Sequence, residues 1–210
     1  MLTITTLVLG PVQTNTYIVA DGSRGDAVVI DPAWEGLSIR KLILSRGWRI
    51  GGVWVTHAHF DHIGGIGSLV KGYLPSPSLA LHPADRVLWE HQGGAGLFGM
   101  FIDPPLPPTL DLYHGQKLTV GDYEFEVRCL PGHTPGHVVF YCAGETIVFS
   151  GDTILRGNIG RTDLPGGDYD DLIRNIQEQI LSLPDKTRLF CGHGPETTVG
   201  IERIYNPYLA

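Results

Sequence analysis

The sequence predicts an α/β protein built from two β-sheets packed face to face with helices outside. Short β-rich runs precede helical patterns in the first half of the chain, and the same order returns in the second half. The length of 210 residues, 42% of them hydrophobic, suits a single domain with a sizeable core, so one domain over 1–210 is expected.

The runs LTITTLVL, NTYIVA and DAVVIDP are each bounded by Gly, Pro, Asn or Asp and read as three strands, candidates for antiparallel pairing. Across 36–46, Leu37, Ile39, Leu42 and Ile43 fall partly at helical spacing, and Gly47 follows as a stop. A strand over 52–55 then runs into THAHFDHIGG. Residues 62–70 read as a helix, SLALH as a strand, and 83–91 as a helix with proline in its first turn. The stretch GGAGLFGMFIDPPLPPTL, residues 93–110, holds too many Gly and Pro for regular structure; it reads as a long loop, either a substrate rim or an inert connection.

The earlier pattern then returns. KLTV, YEFEVRCL, HVVFYC and TIVFS are strands, and 168–183 is a helix whose Tyr169, Leu172, Ile173, Ile176 and Ile180 form one apolar stripe. Asp170 and Asp171 sit in its first turn, where the helix dipole favours anions. RLFC is a last strand and 197–205 a last helix.

Composition excludes several functions. The net charge is −7 and the cationic residues are scattered (Arg24, Arg40, Lys41, Arg46, Arg49, Arg86), which argues against nucleic acid as a partner. Mean hydropathy is +0.04, and no apolar run approaches the roughly 20 residues that span a bilayer, so no membrane partner is expected. The opening MLTITTLVLGPVQTNTY lacks the basic region of a secretory signal, and a cytoplasmic location is expected. Cys129, Cys142 and Cys191 are odd in number and sit in or beside apolar strand-like runs, as buried free thiols rather than disulfides.

THAHFDHIGG packs three histidines and an aspartate into six positions, 57 to 62. In an extended segment alternate residues point the same way, so His57 and His59 reach one point, while Asp61 and His62 turn toward a second. Three later places put a ligand-type residue beside glycine after a strand: LPGHTPGH, FSGDT and FCGHGP. Together they give His57, His59, Asp61, His62, His133, Asp152 and His193. Five imidazoles and two carboxylates suit borderline divalent metals such as zinc, iron or manganese, with zinc foremost. Seven donors exceed the needs of one tetrahedral ion, so two ions sharing one carboxylate is the economical arrangement.

The HxHxDH pattern, with PGHTPGH, SGDT and GHGPET, resembles the metallo-β-lactamase superfamily. The likeness runs from LGPVQTNTYIV to ERIYNPYL and is greatest to compact glyoxalase II-like hydrolases (hydroxyacylglutathione hydrolases), especially in RGNIGRTDLPGGD. It implies an αββα sandwich of two mixed sheets, with the site at the sheet edges between the halves. By the same resemblance His57, His59 and His133 hold one metal, Asp61, His62 and His193 the other, and Asp152 bridges them. The implied activity is hydrolysis of a small thioester, S-lactoylglutathione or a related acyl thiol, by a metal-bridging hydroxide that Asp61 helps to orient.

Arg161 lies where glyoxalase II enzymes place a substrate-contacting lysine, and Asp163 near where they place a tyrosine. Arg161 is thus a candidate substrate contact, with an Arg161–Asp163 turn brace as the alternative. Those enzymes also carry a C-terminal helical domain that supplies much of the glutathione site, whereas only residues 194–210 follow His193 here. GRTD additionally resembles persulfide dioxygenases of the same fold, in which His57, His133 and Asp152 would hold a single iron. Lactone or other ester hydrolysis is a further alternative. His82, His91 and His114 lack the glycine-flanked setting and read as ordinary polar residues, and His137 as a support rather than a ligand.

Overall fold

The structure, a computed structural model, describes residues 1–102 and 106–209. Strands β1 (Leu2–Leu9), β2 (Thr14–Asp21) and β3 (Asp26–Ile30) pair antiparallel in sequence order. β4 (Arg49–Trp54), β5 (Ser78–Leu81) and β6 (Leu110–Asp111) then add in parallel, completing a mixed six-stranded sheet. The second sheet begins with β7 (Lys117–Val120), β8 (Tyr123–Cys129), β9 (Val138–Cys142) and β10 (Ile147–Gly151). A two-stranded hairpin, β11 (Ile154–Leu155) with β12 (Asn158–Ile159), intervenes before β13 (Arg188–Cys191) and β14 (Thr197–Thr198). The order in that sheet is β14-β13-β10-β9-β8-β7, with one parallel pair, β10 with β13.

Alternation along the strands assigns the layers. On β2, Tyr17 and Val19 point to the other sheet while Ile18 and Ala20 point to the helices, and all are buried. Three apolar cores result, as four stacked layers require. The outer one on the first sheet packs Ile18, Val29 and Val53 under Ile39 and Ile43 of α1 (Gly36–Ser45). The middle one joins the sheets through Tyr17, Trp54, Phe125, Phe140, Phe149 and Phe190. The outer one on the second sheet packs Val139, Val148 and Leu189 under Leu172, Ile176 and Ile180. This is the αββα sandwich.

Several elements differ from expectation, each for a local reason. The helix expected over 62–70 is two short helices, α2 (Phe60–Ile63) and α3 (Ile66–Val70). Gly65 breaks it by donating its N–H to Pro32 O at 2.8 Å, where a side chain would press on the Pro32 and Trp34 carbonyl oxygens. Over 83–91 a 3₁₀ turn, Pro83–Asp85, precedes α4 (Arg86–Glu90).

In the expected loop 93–110, tight 3₁₀ turns occupy Gln92–Phe98 through the left-handed Gly93 and Gly94, and Leu110 already belongs to β6. Asp103, Pro104 and Pro105 of that loop lie outside the described residues. The helix expected over 168–183 is α5 (Tyr169–Asn175), started by the Asp168 side chain accepting from Asp171 N–H and continued as one π-helical turn over Ile176–Ile180. Before α6 (Val199–Tyr205), Thr197 and Thr198 pair as β14, so that helix begins two residues later than expected.

Phe149 is fully buried in the middle core against Tyr17, Phe125 and Phe190. Phe149→Ala is expected to cost about 3–5 kcal/mol in denaturant titration, through lost burial and the cavity left behind. A loss under about 1 kcal/mol would show that the sheets are not held by this cluster.

Candidate metal centre

All seven residues singled out in the sequence converge at one end of the sandwich, between the sheets. His57 and His59 follow β4 in an extended segment, and Asp61 and His62 ride on α2. His133 lies in the β8–β9 loop, Asp152 directly after β10, and His193 just after β13. Their donor atoms fall into three overlapping groups, each within 4.8 Å: His57, His59 and His133; His57, His62 and Asp152; Asp61, His62 and His193. Asp152 spans them, with Oδ1 3.5 Å from His62 Nε2 and Oδ2 3.6 Å from His133 Nε2 and 3.5 Å from His193 Nε2. The glycine beside His193 leaves room for this approach, because a side chain on Gly192 would overlap Asp152 Oδ1.

Outward hydrogen bonds determine which ring nitrogens face inward. His62 Nδ1–H donates to the Asp31 carboxylate at 2.9 Å, and His133 Nδ1–H to Arg161 O at 2.7 Å. Thr56 Oγ1 donates its one proton to Asp31 Oδ2 at 2.7 Å, so toward His57 Nδ1 at 3.0 Å it accepts. Each of these rings in its neutral form therefore turns an Nε2 lone pair to the centre. There His57 Nε2 and His133 Nε2 stand 3.2 Å apart, with His59 Nδ1 2.9 Å from the latter. His62 Nε2 and Asp152 Oδ1 are buried without any hydrogen-bond partner. Converging lone pairs and orphaned buried acceptors are costly alone and are relieved by cations, so the donor set fits a metal centre.

The electrostatics divide the site in two. Burial and neighbouring imidazoles push His57 well below the usual histidine range, and burial with His133 pushes His59 down to about 3. At the other end, burial opposes charge on His193, but hydrogen bonds to Asp152 and Asp61 outweigh it and raise the group to about 9. His62 is likewise held well above its ordinary value, against burial, by Asp61, Asp152 and Asp31. Asp61, which burial alone would raise, is drawn down to about 2 by His62 and His193. Thus one half presents neutral imidazoles, while in the other, without a cation, protons on His62 and His193 balance the carboxylates; a metal there would displace those protons and take up the Nε2 lone pairs.

Two buried carboxylates that sequence reasoning missed hold this arrangement. Asp31, with a left-handed backbone (φ 49°), accepts from Thr56 N–H at 2.8 Å as well as from His62 and the Thr56 hydroxyl. Asp85 accepts from Ala58 N–H at 2.9 Å, Thr134 Oγ1 at 2.9 Å and Gly136 N–H at 2.6 Å, clipping the segment of His57 and His59 to the loop of His133. The acid in DAVVIDP, at a strand end before proline, was the available signal for Asp31; HPADR carries none for Asp85.

His137 is buried and supports the site without facing it. Its Nε2 accepts from Asp152 N–H at 3.1 Å and its Nδ1 bonds Thr153 Oγ1 at 3.1 Å. Thr14 Oγ1 donates to Asp61 Oδ2 at 2.9 Å. His82, His91 and His114 lie outside the three groups, His82 and His91 bonded to backbone of their own turn and His114 accepting from Cys129 N–H of β8. Arg161 lines the pocket, while its guanidinium makes a forked pair with Asp163 at 2.7 and 2.8 Å, the geometry of the turn brace. The pocket itself is about 190 Å³, with Val12, Phe60, Phe98, Met100 and Leu164 around the donors.

Comparison with known proteins points to the same fold. A family profile described as the metallo-beta-lactamase superfamily matches residues 9–193. The hydroxyacylglutathione hydrolase GloC of Haemophilus influenzae is 35% identical over 199 residues, 94% of this chain and 93% of that protein. Among solved structures, the BLEG-1 B3 metallo-beta-lactamase superposes with a TM-score of 0.91 at 35% identity, covering 99% of each chain. The protein TTHA1623, in a di-iron-bound form, superposes with a TM-score of 0.89 at 41% identity, covering 98% of this chain and all of that one.

Two outcomes follow from the supports and the charges. Asp31→Ala frees the His62 ring and is expected to weaken metal binding about 10- to 100-fold in competition with a chromophoric chelator. Unchanged affinity would show that Asp31 does not orient a ligand. In the metal-free protein, His193 at about 9 against an ordinary 6.5 favours the folded state while protonated. That contribution is full below about 6.5 and lost as pH rises through about 9, so the Tm of metal-free protein should fall across this window. His193→Ala should flatten the fall; parallel curves for the two proteins would contradict the assignment.

Proposed function

The chain belongs to the metallo-beta-lactamase superfamily, and from that premise we propose that it is a binuclear metal hydrolase of small thioesters, glyoxalase II-like in its chemistry. The observation that carries this reading is the inward convergence of donors in three overlapping groups, with the Asp152 carboxylate within 3.6 Å of His62, His133 and His193. His57, His59 and His133 would hold one ion and Asp61, His62 and His193 the other, with Asp152 shared. The di-iron form of TTHA1623 supports two ions, and the name of the Haemophilus relative supports an acyl thiol as substrate. Zinc, iron and manganese all suit this donor set.

When bound, two divalent ions polarise a carbonyl oxygen and ionise water near neutral pH. The chain's own residues supply the rest. Asp61, held by Thr14, orients the attacking water by accepting its hydrogen bond. The apolar rim of Val12, Phe60, Phe98, Met100 and Leu164 limits bulk water and strengthens every electrostatic contact within. Water oxygen, having lost a proton to solvent, bonds to the carbonyl carbon, the carbon–sulfur bond breaks, the sulfur leaves with the electron pair as thiolate, and the thiolate takes up a proton from solvent. No Ser, Cys or Lys is among the described residues lining the pocket, in keeping with direct attack by water rather than a covalent intermediate.

Elemental analysis of loaded protein is expected to give about two metal ions per chain, together with hydrolysis of S-lactoylglutathione or another small acyl thioester. Asp152→Ala should lose more metal and activity than any single histidine variant, since it removes the carboxylate that would be shared by both ions. A protein that holds a single iron and consumes oxygen with glutathione persulfide would overturn the hydrolase reading in favour of a dioxygenase.

A further inference from the structure

Beside the metal pocket lies a larger cavity of about 570 Å³, walled chiefly by Val87, Leu88, Leu97, Pro135 and Pro165. Neighbouring residues serve both spaces. Leu97 lines the large cavity and Phe98 the metal pocket; Pro165 lines one and Leu164 the other; Pro135 stands two residues after His133. Three separate segments thus carry lining residues of both cavities, which sets the apolar groove close to the metal pocket.

Charge argues against a glutathione-like occupant. Glutathione carries two carboxylates and an ammonium, which call for cations and directed donors. Among the described residues lining the two cavities, Arg161 is the single Arg or Lys, and its Nε and Nη2 both donate to the Asp163 carboxylate. Its charge is thus already partnered by the Asp163 carboxylate, which weakens its pull on a substrate anion. The polar residues of the groove are also engaged: the Asp85 carboxylate takes three internal bonds, and His91 Nδ1 bonds Val87 O at 2.7 Å. Val87 and Leu97 stand exposed at the groove, a costly surface for a monomer that has nothing to bind there.

We propose that this groove is a specificity subsite for an apolar arm, aliphatic or aryl, of a neutral thioester. The inference rests on the hydrolase reading and narrows it, from acyl thiols generally to those whose non-reacting part is apolar. Four added methylenes on the bound arm should raise kcat/KM by about tenfold or more.

The test uses metal-loaded protein with S-ethyl thioacetate as the short reference, S-hexyl thioacetate to lengthen the thiol side, and S-ethyl hexanethioate to lengthen the acyl side. At least one long substrate should exceed the reference by about tenfold in kcat/KM, and should also exceed S-lactoylglutathione. Leu97→Asp should bring the long-to-short ratio toward one without lowering Tm, because the side chain is exposed. A ratio near one in the parent protein, an unchanged ratio in the variant, or a tenfold preference for S-lactoylglutathione would overturn the subsite.

Binding is read separately from catalysis. 1-Hexanol titrated into the protein, with or without metal, should shift the methyl resonances of Val87, Leu88 and Leu97, and less so in Leu97→Asp. No shift at those methyls would likewise overturn the subsite. Shifts in a loaded protein that cleaves none of the thioesters would instead retain the groove and refute the hydrolase.

Discussion

Everything at the site depends on one constraint: imidazole rings that are hydrogen-bonded on their outer side have a lone pair left for the inner one. Asp31, the Thr56 hydroxyl and the Arg161 carbonyl each commit a proton outward, and the inner nitrogens of His62, His57 and His133 are committed by default. No residue at the centre itself makes that choice. The supports do, and they sit on β-strand ends and tight loops whose backbone positions are held by the packed sheets. Rigid outer partners thereby convert flexible, titratable groups into a preorganised set of donors.

The fold meets the constraint by joining its halves with polar contacts around the site as well as with the apolar middle core. Asn15 of β2 donates from its side chain to Cys191 O at 2.9 Å and Gly194 O at 2.8 Å, gripping the turn that carries His193 from both sides. Val138 N–H of β9 donates to Thr56 O at 2.8 Å, and Asp85 reaches from the first half to Thr134 and Gly136 in the second. These are buried polar groups with their bonding satisfied, so they fix relative position where apolar packing alone would tolerate sliding.

The sandwich and the seven converging residues were legible because both rest on short-range pattern. Strand alternation, the apolar stripe from Tyr169 to Ile180 and the dense HxHxDH segment all lie within a few residues of themselves. What escaped depends on distant partners. Asp85 is unremarkable within HPADR and acquires its role only when Ala58 and Gly136 arrive from positions far along the chain. The interruption of the helix at Gly65 needed the carbonyl of Pro32, and β6, β11, β12 and β14 are two-residue pairings too short for periodicity to register. The pairing of Arg161 with Asp163 was readable as one of two alternatives, because the two residues are adjacent but one in sequence.

Each of the three donor groups takes members from both halves of the sandwich: His133 joins His57 and His59, Asp152 joins His57 and His62, and His193 joins Asp61 and His62. Neither sheet with its helices possesses a complete set. During biosynthesis the amino-terminal half emerges with four donors and no partner for them, and a metal captured then would be held weakly and exchanged freely. Tight loading would then follow the docking of the second sheet, and a bound ion would be a record that the whole chain has folded and a cross-link against its reopening.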